Sequence, residues 1–397
     1  MLSLTMEVAM KYRVSIALAA VICVLVLSNC GGVDSAIVGG GGANGAASVT
    51  ADQAAYDAGV AEYNSGSYAS AAATFQSLIA DYPASNRVDN AHYYLGKCLY
   101  HLNDLTGAIA EFDLVLQNYP QSSLIDNVML WKGKSLQRQG KIEMAVGNLA
   151  AAPLKFAEAR AMYRQVISLY PASTLIPDCT YQLGLTDYDE KLYASSLPLF
   201  QSVFANYPNS NVADGALYYL ARSIHELAQA ATPGYTYTQA RAAYAGMMAT
   251  FPLSSWTDNA QYQTGKTYYD ELNYVSAIAE FDKVLLNYAT ASAADEAQYY
   301  LARSIHALAK AGTAGYDYAG ARAAYGLIAA NYPASIFVDN AAYHAGLTYH
   351  DSLQCTLELA AMQAFVAAYP SSAFLATAAT HIGDLTLAVP LTHQTCL

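Results

Sequence analysis

The sequence YPASNRVDNAHYYLG, at residues 82–96, returns in altered form along most of the 397-residue chain. Its first two residues mark the repeat most clearly. Variants of this pair stand at residues 82–83, 119–120, 170–171, 207–208, 251–252, 288–289, 332–333 and 369–370. The interval is 37 residues between Pro83 and Pro120 and 51 residues between Pro120 and Pro171. Such periods are typical of solenoids, whose units bury their apolar faces only against neighbouring units. We therefore expect an extended surface rather than a catalytic cleft.

Each unit is predicted to contain two short helices, helix A and helix B. Small and apolar residues follow a helical spacing in two runs between residues 89 and 120, and a polar pair at residues 103–104 separates them. The marker residues of this unit lie at offsets 0, 12, 16 and 24: Gly96, Ala108, Phe112 and Pro120. The same offsets return in three other units: Gly59, Ala71, Phe75, Pro83; Gly184, Ser196, Phe200, Pro208; Gly265, Ala277, Phe281, Ala289.

Alternate units are longer. The helix B markers arrive seven residues late after Ala221 and Ala302, and fourteen late after Gly133. Because seven residues make nearly two helical turns, we predict that helix A is extended in these units and that a loop is pushed outward. Residues 218–225 and 299–306 are identical, 81 positions apart. The building block is therefore a pair of units.

The repeated offsets resemble those of the tetratricopeptide repeat. This resemblance implies an all-α superhelical solenoid of about eight helix hairpins over residues 50–370, with a C-terminal capping helix and tail in residues 371–397. The spacer Tyr82-Pro83-Ala84-Ser85 followed by Asp89-Asn90-Ala91 is a more specific signature than the repeated offsets. It resembles the repeats of the Tol-Pal-associated cell-division coordinator and of the lipoprotein subunit of the outer-membrane β-barrel assembly machine. Those families imply a non-enzymatic scaffold that aids assembly or coordination of envelope complexes.

The N-terminus has the features of an export signal. Lys11 and Arg13 precede an apolar run over residues 14–27, so residues 1–29 are predicted to be a signal peptide that starts at Met1 or at Met10. The segment Leu27-Ser28-Asn29-Cys30-Gly31 resembles a bacterial lipobox, which implies a diacylated Cys30. Residues 30–49, rich in glycine, then form a flexible tether.

The resemblance to a lipobox also implies a location. Gly31 stands where an inner-membrane retention signal has Asp, so the outer membrane is favoured, with the protein facing the periplasm. Two alternatives are a surface-exposed protein, and an ordinary signal peptide that leaves Cys30 as a plain thiol on a soluble periplasmic protein.

Charge excludes one class of partner. The formal charge is −12, and removal of residues 1–29 with Lys11, Arg13 and Glu7 makes it −13. Nucleic acids and anionic lipid headgroups repel such a surface. We therefore expect contact with the membrane through the lipid anchor only, and partners that are envelope proteins or peptide segments.

Candidate binding residues form a ladder on one face of the predicted A helices. The first set stands three positions before the small residue in units 2 and 4 to 8: Tyr93, Tyr181, Tyr218, Tyr262, Tyr299 and Tyr343. The second set stands four positions after it: Tyr63, Tyr100, Tyr188, Tyr269, His225, His306 and His350. Tyrosine is frequent at protein interfaces, so the ladder could hold an extended peptide. The alternative is that the rings only pack between successive helices.

Other chemistry is not indicated. The chain lacks the motifs of the common hydrolases, nucleotide-binding proteins and metalloproteases, and its cysteines and histidines lack the spacings typical of zinc or haem. We predict no enzyme activity, no cofactor and no metal. Cys355 and Cys396 could form a disulfide in an oxidising periplasm, whereas Cys98 and Cys179 are expected to be buried thiols. A second functional hypothesis is a glycan-handling lipoprotein of polysaccharide secretion, with the tyrosine ladder as a sugar platform.

Overall fold

A computed structural model describes residues 50–387, which form seventeen α-helices and no strand. The signal peptide, Cys30 and the tether lie outside the described residues, as does Cys396. The helices are α1 (Ala51–Asn64), α2 (Tyr68–Asp81), α3 (Val88–His101), α4 (Leu105–Asn118), α5 (Ile125–Ala145), α6 (Ala152–Leu169), α7 (Ile176–Asp189), α8 (Tyr193–Asn206), α9 (Ala213–Gln229), α10 (Tyr237–Thr250), α11 (Thr257–Asp270), α12 (Tyr274–Asn287), α13 (Ala294–Lys310), α14 (Tyr318–Asn331), α15 (Val338–Asp351), α16 (Cys355–Ala368) and α17 (Leu375–Leu387). The predicted all-α fold is confirmed.

The helices form eight consecutive hairpins and a capping helix. Each helix packs against the helices before and after it in the chain. The odd-numbered helices α1 to α15, which are the A helices, also touch one another in order. The even-numbered helices α2 to α16 are the B helices. Because the A helices approach each other, they form the inner layer of the solenoid.

Close contact between helix A and helix B explains the repeated offsets. A Cβ atom added to Gly96 would lie 2.6 Å from the ring of Phe112, and one added to Gly265 would lie 2.6 Å from the ring of Phe281. Both rings are fully buried. A larger residue than glycine would therefore push the two helices of the hairpin apart, which dense interiors tolerate poorly.

The longer units have longer A helices, as predicted. Helix α5 has 21 residues and α9 has 17, whereas the A helices of the shorter units have 14. Only three of the seven extra residues of the fifth hairpin are helical. The other four lengthen the loop at residues 230–236, where Ala231 and Gly234 have positive φ. The insertion is therefore divided between helix and loop.

The capping helix α17 covers the last hairpin. It packs on α16, and Ala378 joins Tyr343, Met362 and Phe365 in a buried cluster. Cys355 begins α16. Because Cys396 is not among the described residues, the disulfide between them stays a prediction. Cys98 and Cys179 are buried free thiols, as expected.

Candidate partner-binding groove

Two hollows follow the inner layer and are lined by A helices alone. The larger, of about 700 Å³, is bordered by residues of α3, α5, α7 and α9. The smaller, of about 290 Å³, is bordered by residues of α9, α11 and α13. We call them the N-terminal hollow and the central hollow, and together they form the inner groove. No B helix of residues 50–387 contributes a lining residue to either hollow.

The first set of the tyrosine ladder is buried. Tyr93, Tyr181, Tyr218, Tyr262, Tyr299 and Tyr343 are each at most 8 % exposed. Tyr218 stacks on Trp256 with ring centroids 4.7 Å apart, and Tyr299 stacks on Phe337 at 5.0 Å. Burial raises the pKa of all six hydroxyl groups. These rings pack between hairpins, and only parts of Tyr218 and Tyr262 reach the central hollow.

Two histidines of the second set, His225 and His306, are held by carboxylates of the next A helix. His225 Nε2 lies 3.0 Å from Asp270 Oδ2, and His306 Nε2 lies 2.9 Å from Asp351 Oδ2. Gln137, at the same repeat position of α5, donates to Asp189 Oδ2 at 2.9 Å. We call the three contacts between hairpins 3 and 4, 5 and 6, and 7 and 8 the polar junctions.

The polar junctions share a second hydrogen bond. At each of them a serine in the loop before the second hairpin donates to an aspartate in the first turn of the preceding A helix, at 2.6 Å. The pairs are Ser173 with Asp126, Ser254 with Asp214, and Ser335 with Asp295. These serines belong to the Tyr-Pro spacer or its Phe251 variant. The spacer therefore ties one hairpin to the next, besides ending helix B.

The tyrosines of the second set lie at the alternate contacts. Tyr188 meets Tyr219 edge-on, with centroids 5.1 Å apart, and Tyr269 meets Tyr300 in the same way at 5.0 Å. Tyr100 meets Trp131 at 5.4 Å. These rings are only partly buried. We call the contacts between hairpins 2 and 3, 4 and 5, and 6 and 7 the aromatic junctions.

His350 and Tyr63 lie at the ends of the ladder. Tyr63 is partly buried, and its hydroxyl lies 3.2 Å from His101 Nε2. His350 faces Glu358 instead of the carboxylate of a following A helix. The ladder residues are thus brought to one face of the A layer, but they differ in exposure and in partner. Their role in binding stays a prediction.

Positive charge gathers at the N-terminal hollow, although the chain is acidic overall. Lys134, Arg138 and Lys141 line it, and Asp189 is the one carboxylate among its described lining residues. Lys134 Nζ lies 4.9 Å from the centre of the Trp131 ring. Burial lowers the pKa of the Lys134 ammonium. A cation held against aromatic faces is stabilised by the ring quadrupole and can still attract an anionic ligand.

Lys97 extends this basic region. Its Nζ lies 4.3 Å from the Tyr63 ring centre, 4.8 Å from that of Tyr94 and 5.0 Å from that of Trp131. Burial lowers its pKa to about 8. Lys97, Trp131 and Lys134 are not among the binding residues predicted from the sequence. A signal was present, because Lys97 and Lys134 each follow the small glycine of their unit.

Comparison with known proteins identifies the family. The sequence matches the family YfiO, described as outer membrane lipoprotein, over residues 49–180 and 220–388. The chain belongs to the YfiO family of outer membrane lipoproteins. No protein of curated function matches the sequence. None of the helices in residues 50–387 is both long and apolar enough to cross a bilayer.

Solved structures resemble this YfiO-family chain in fold. The C-terminal part of a TPR repeat-containing protein from Cytophaga hutchinsonii is 14% identical with a TM-score of 0.50, and the match covers 72% of this chain and 98% of that one. A tetratricopeptide repeat protein from Parabacteroides merdae is 12% identical with a TM-score of 0.47, covering 75% and 98%. The tetratricopeptide fold and the expected class of envelope lipoprotein are confirmed. Tetratricopeptide repeat proteins and YfiO-family lipoproteins are generally non-enzymatic and bind other proteins.

Proposed function

We propose that this protein is a scaffold of the outer membrane, anchored through a lipid on Cys30, which holds segments of envelope proteins along its inner groove. Its membership of the YfiO family and its tetratricopeptide solenoid support the scaffold role. Assembly of β-barrels or coordination of Tol-Pal and division complexes is the process we favour. Restriction to the membrane surface raises the effective concentration of scaffold and client without any new contact.

The N-terminal hollow is the observation that carries the proposal. It combines three cationic side chains with the rings of Tyr100, Trp131 and Tyr219 in one open depression of about 700 Å³. Aromatic residues and arginine are the residues most enriched in the energetic centres of protein interfaces. We infer that the client is an extended segment with carboxylates. Its carboxylates would pair with the cationic side chains of the hollow, and its apolar side chains would pack against the aromatic rings.

Photo-crosslinking tests the groove directly. A photoreactive phenylalanine at Ile142, which lines the N-terminal hollow and is 43 % exposed, is expected to trap envelope proteins in cells. The matched control places the same residue at Leu286, which is 83 % exposed on the B helix α12. Adducts at Ile142 and not at Leu286 support the scaffold. Equal adducts at both positions, or none at Ile142, would overturn the groove as the binding surface.

A glycan-handling role is the alternative. It is favoured by the edge-on pair of Tyr100 and Trp131, since aromatic faces in an open groove also stack on sugar rings. Retention of envelope polysaccharide on the immobilised protein, with loss on Trp131→Ala and no protein adduct at Ile142, would replace the scaffold proposal. The anchor is tested separately by mass spectrometry of the mature N-terminus, where an unmodified residue 30 or another terminus would reject it.

A further inference from the structure

A carboxylate is buried in the last hairpin at a position that is small in the other seven. The first marker of helix B is Ala71, Ala108, Ala159, Ser196, Ala240, Ala277 and Ala321 in hairpins 1 to 7, each fully buried. In hairpin 8 the corresponding residue is Glu358, also at 0 % exposure. Burying an ionised carboxylate is costly unless hydrogen bonds or a counter-charge compensate it. The eighth hairpin therefore needs a compensating group that the others do not.

Two histidines are the only side chains seen to hydrogen-bond to Glu358 within residues 50–387. His350 Nδ1 lies 3.1 Å from both carboxylate oxygens, and His381 Nδ1 lies 2.7 Å from Oε1. No lysine or arginine of this part of the chain contacts it. The three residues come from three different helices, α15, α16 and α17. The cluster thus joins the last hairpin to the capping helix.

The spacing of the ligand atoms suits a small divalent ion. The two imidazole nitrogens and a carboxylate oxygen all lie within 4.8 Å of one another. Zinc binds nitrogen and oxygen at about 2.0–2.2 Å with tetrahedral angles, which places ligand atoms about 3.3 Å apart. The histidine rings lie nearly perpendicular, at 87°, so neither blocks the other's approach. The contacts of His350 and His381 with Glu358, at 3.1 and 2.7 Å, would lengthen slightly to reach that separation around an ion.

The cluster is also accessible on one side. The side chains of His350 and His381 are 35 % and 23 % exposed, while that of Glu358 is fully covered. An ion can therefore enter from solvent, and water can complete its coordination. Neutral imidazole and carboxylate are ligands that first-row divalent metals, and zinc in particular, accept readily.

We propose that His350, Glu358 and His381 form a binding site for a divalent transition-metal ion of the zinc class. The ion would neutralise the buried carboxylate and clamp α17 onto hairpin 8. This departs from the expectation of no metal, which considered only spacings along the sequence. The ligands are 8 and 23 residues apart, and only folding of the cap brings them together.

Calorimetric titration with Zn²⁺ tests the site on the untagged mature chain, freed of metal with a chelator and dialysed. We expect one ion bound per chain with micromolar or tighter affinity, and a rise in melting temperature on binding. Glu358→Ala and His381→Ala should each weaken binding at least tenfold. Glu358→Ala restores the residue that six of the other hairpins carry, so the variant is expected to fold, and circular dichroism checks this.

His306→Ala is the matched control. His306 occupies the same repeat position as His350 and also contacts a carboxylate, Asp351, but the described structure brings no third ligand to it. Its loss should leave zinc affinity within twofold of the parent protein. Absence of binding by the parent chain would overturn the site and leave a purely hydrogen-bonded trio. Unchanged affinity in Glu358→Ala and His381→Ala would overturn it as well.

Discussion

The two sides of helix α9 differ in how they contact their neighbours. Toward hairpin 4, Tyr219 packs its ring among Tyr181, Tyr188 and Phe200, with centroids 5.1 to 6.2 Å apart. Toward hairpin 6, His225 contacts the carboxylate of Asp270. The same alternation recurs at the third and seventh hairpins. From hairpin 2 to hairpin 8, successive hairpins are therefore joined alternately by aromatic and by polar junctions.

This alternation gives a physical meaning to the paired repeat. An aromatic junction is stabilised mainly by burial of ring surface, which depends little on pH. A polar junction depends on hydrogen bonds to a carboxylate, which is costly to bury once its partner is removed. The two kinds of junction should respond differently to substitution and to acid.

Loss of a ring at an aromatic junction should have the largest effect. We expect Tyr219→Ala to lower the free energy of unfolding by about 3 kcal/mol, because the truncation removes ring contacts with several neighbours and leaves a cavity. Denaturation in urea measures it. The control is Leu253→Ala, where the side chain is 98 % exposed and the change should stay within about 0.5 kcal/mol. A loss below about 1 kcal/mol at Tyr219 would contradict the assignment.

Acid should weaken the polar junction of hairpins 7 and 8. His344 lies against the rings of Tyr299, Tyr325 and Phe374, facing His306 and Arg303. Burial, with smaller contributions from the charge of Arg303 and from His306 when protonated, lowers its pKa to about 4. The unfolded chain, with a histidine pKa of about 6.5, then binds more protons than the folded chain below that pH. Stability should therefore fall as the pH drops from about 6.5 toward 4.

The size of this acid effect can be measured against a variant in which His344 is replaced by the residue that other hairpins carry at the same repeat position. We expect a loss of about 2 kcal/mol between pH 7 and pH 4.5 from His344 alone. The other two polar junctions carry Gln182 and Gln263 at this repeat position. In His344→Gln the loss over the same pH range should be smaller by that amount, as measured by urea denaturation at each pH. Identical pH profiles for the two proteins would disprove the prediction.

Removal of one partner from the polar junction of hairpins 5 and 6 should have an intermediate effect. His225→Ala is expected to cost about 1.5 kcal/mol, because Asp270 loses a hydrogen bond in a partly buried site but keeps Lys266. His225→Gln copies Gln137 of the third hairpin, which bonds its own aspartate. This variant should recover at least half of the loss in thermal or urea denaturation. Equal destabilisation by both variants would argue against the hydrogen bond.

The smallest expected effect is an increase in stability, at a turn that lies outside both kinds of junction. Leu272, between α11 and α12, is 69 % exposed and has a φ of 62°. The equivalent turn of the first hairpin has Gly66 at a φ of 82°. Because this left-handed conformation strains residues with a Cβ, Leu272→Gly should raise stability by about 1 kcal/mol. A decrease in the melting temperature would contradict it.

Local features of the site and fold were predictable to different extents. The contact of Gly96 with Phe112 follows from its offset of sixteen residues, because both helices belong to one hairpin. The contact of His225 with Asp270 spans 45 residues and depends on how far successive hairpins rotate. The same rotation decides which ladder tyrosines are covered. Sequence reasoning therefore placed the ladder on one face but could not fix how far the next hairpin covers each of its rings.

The sequence alone determined the number of hairpins and their boundaries at the Tyr-Pro pairs, because helical periodicity and turn chemistry act over a few residues. Tertiary structure decided the alternation of junctions, the cationic hollow around Trp131 and the meeting of Glu358 with His381. Those features join residues on different helices. Their distances depend on the packing angle of each hairpin on the next, which no local pattern of residues encodes.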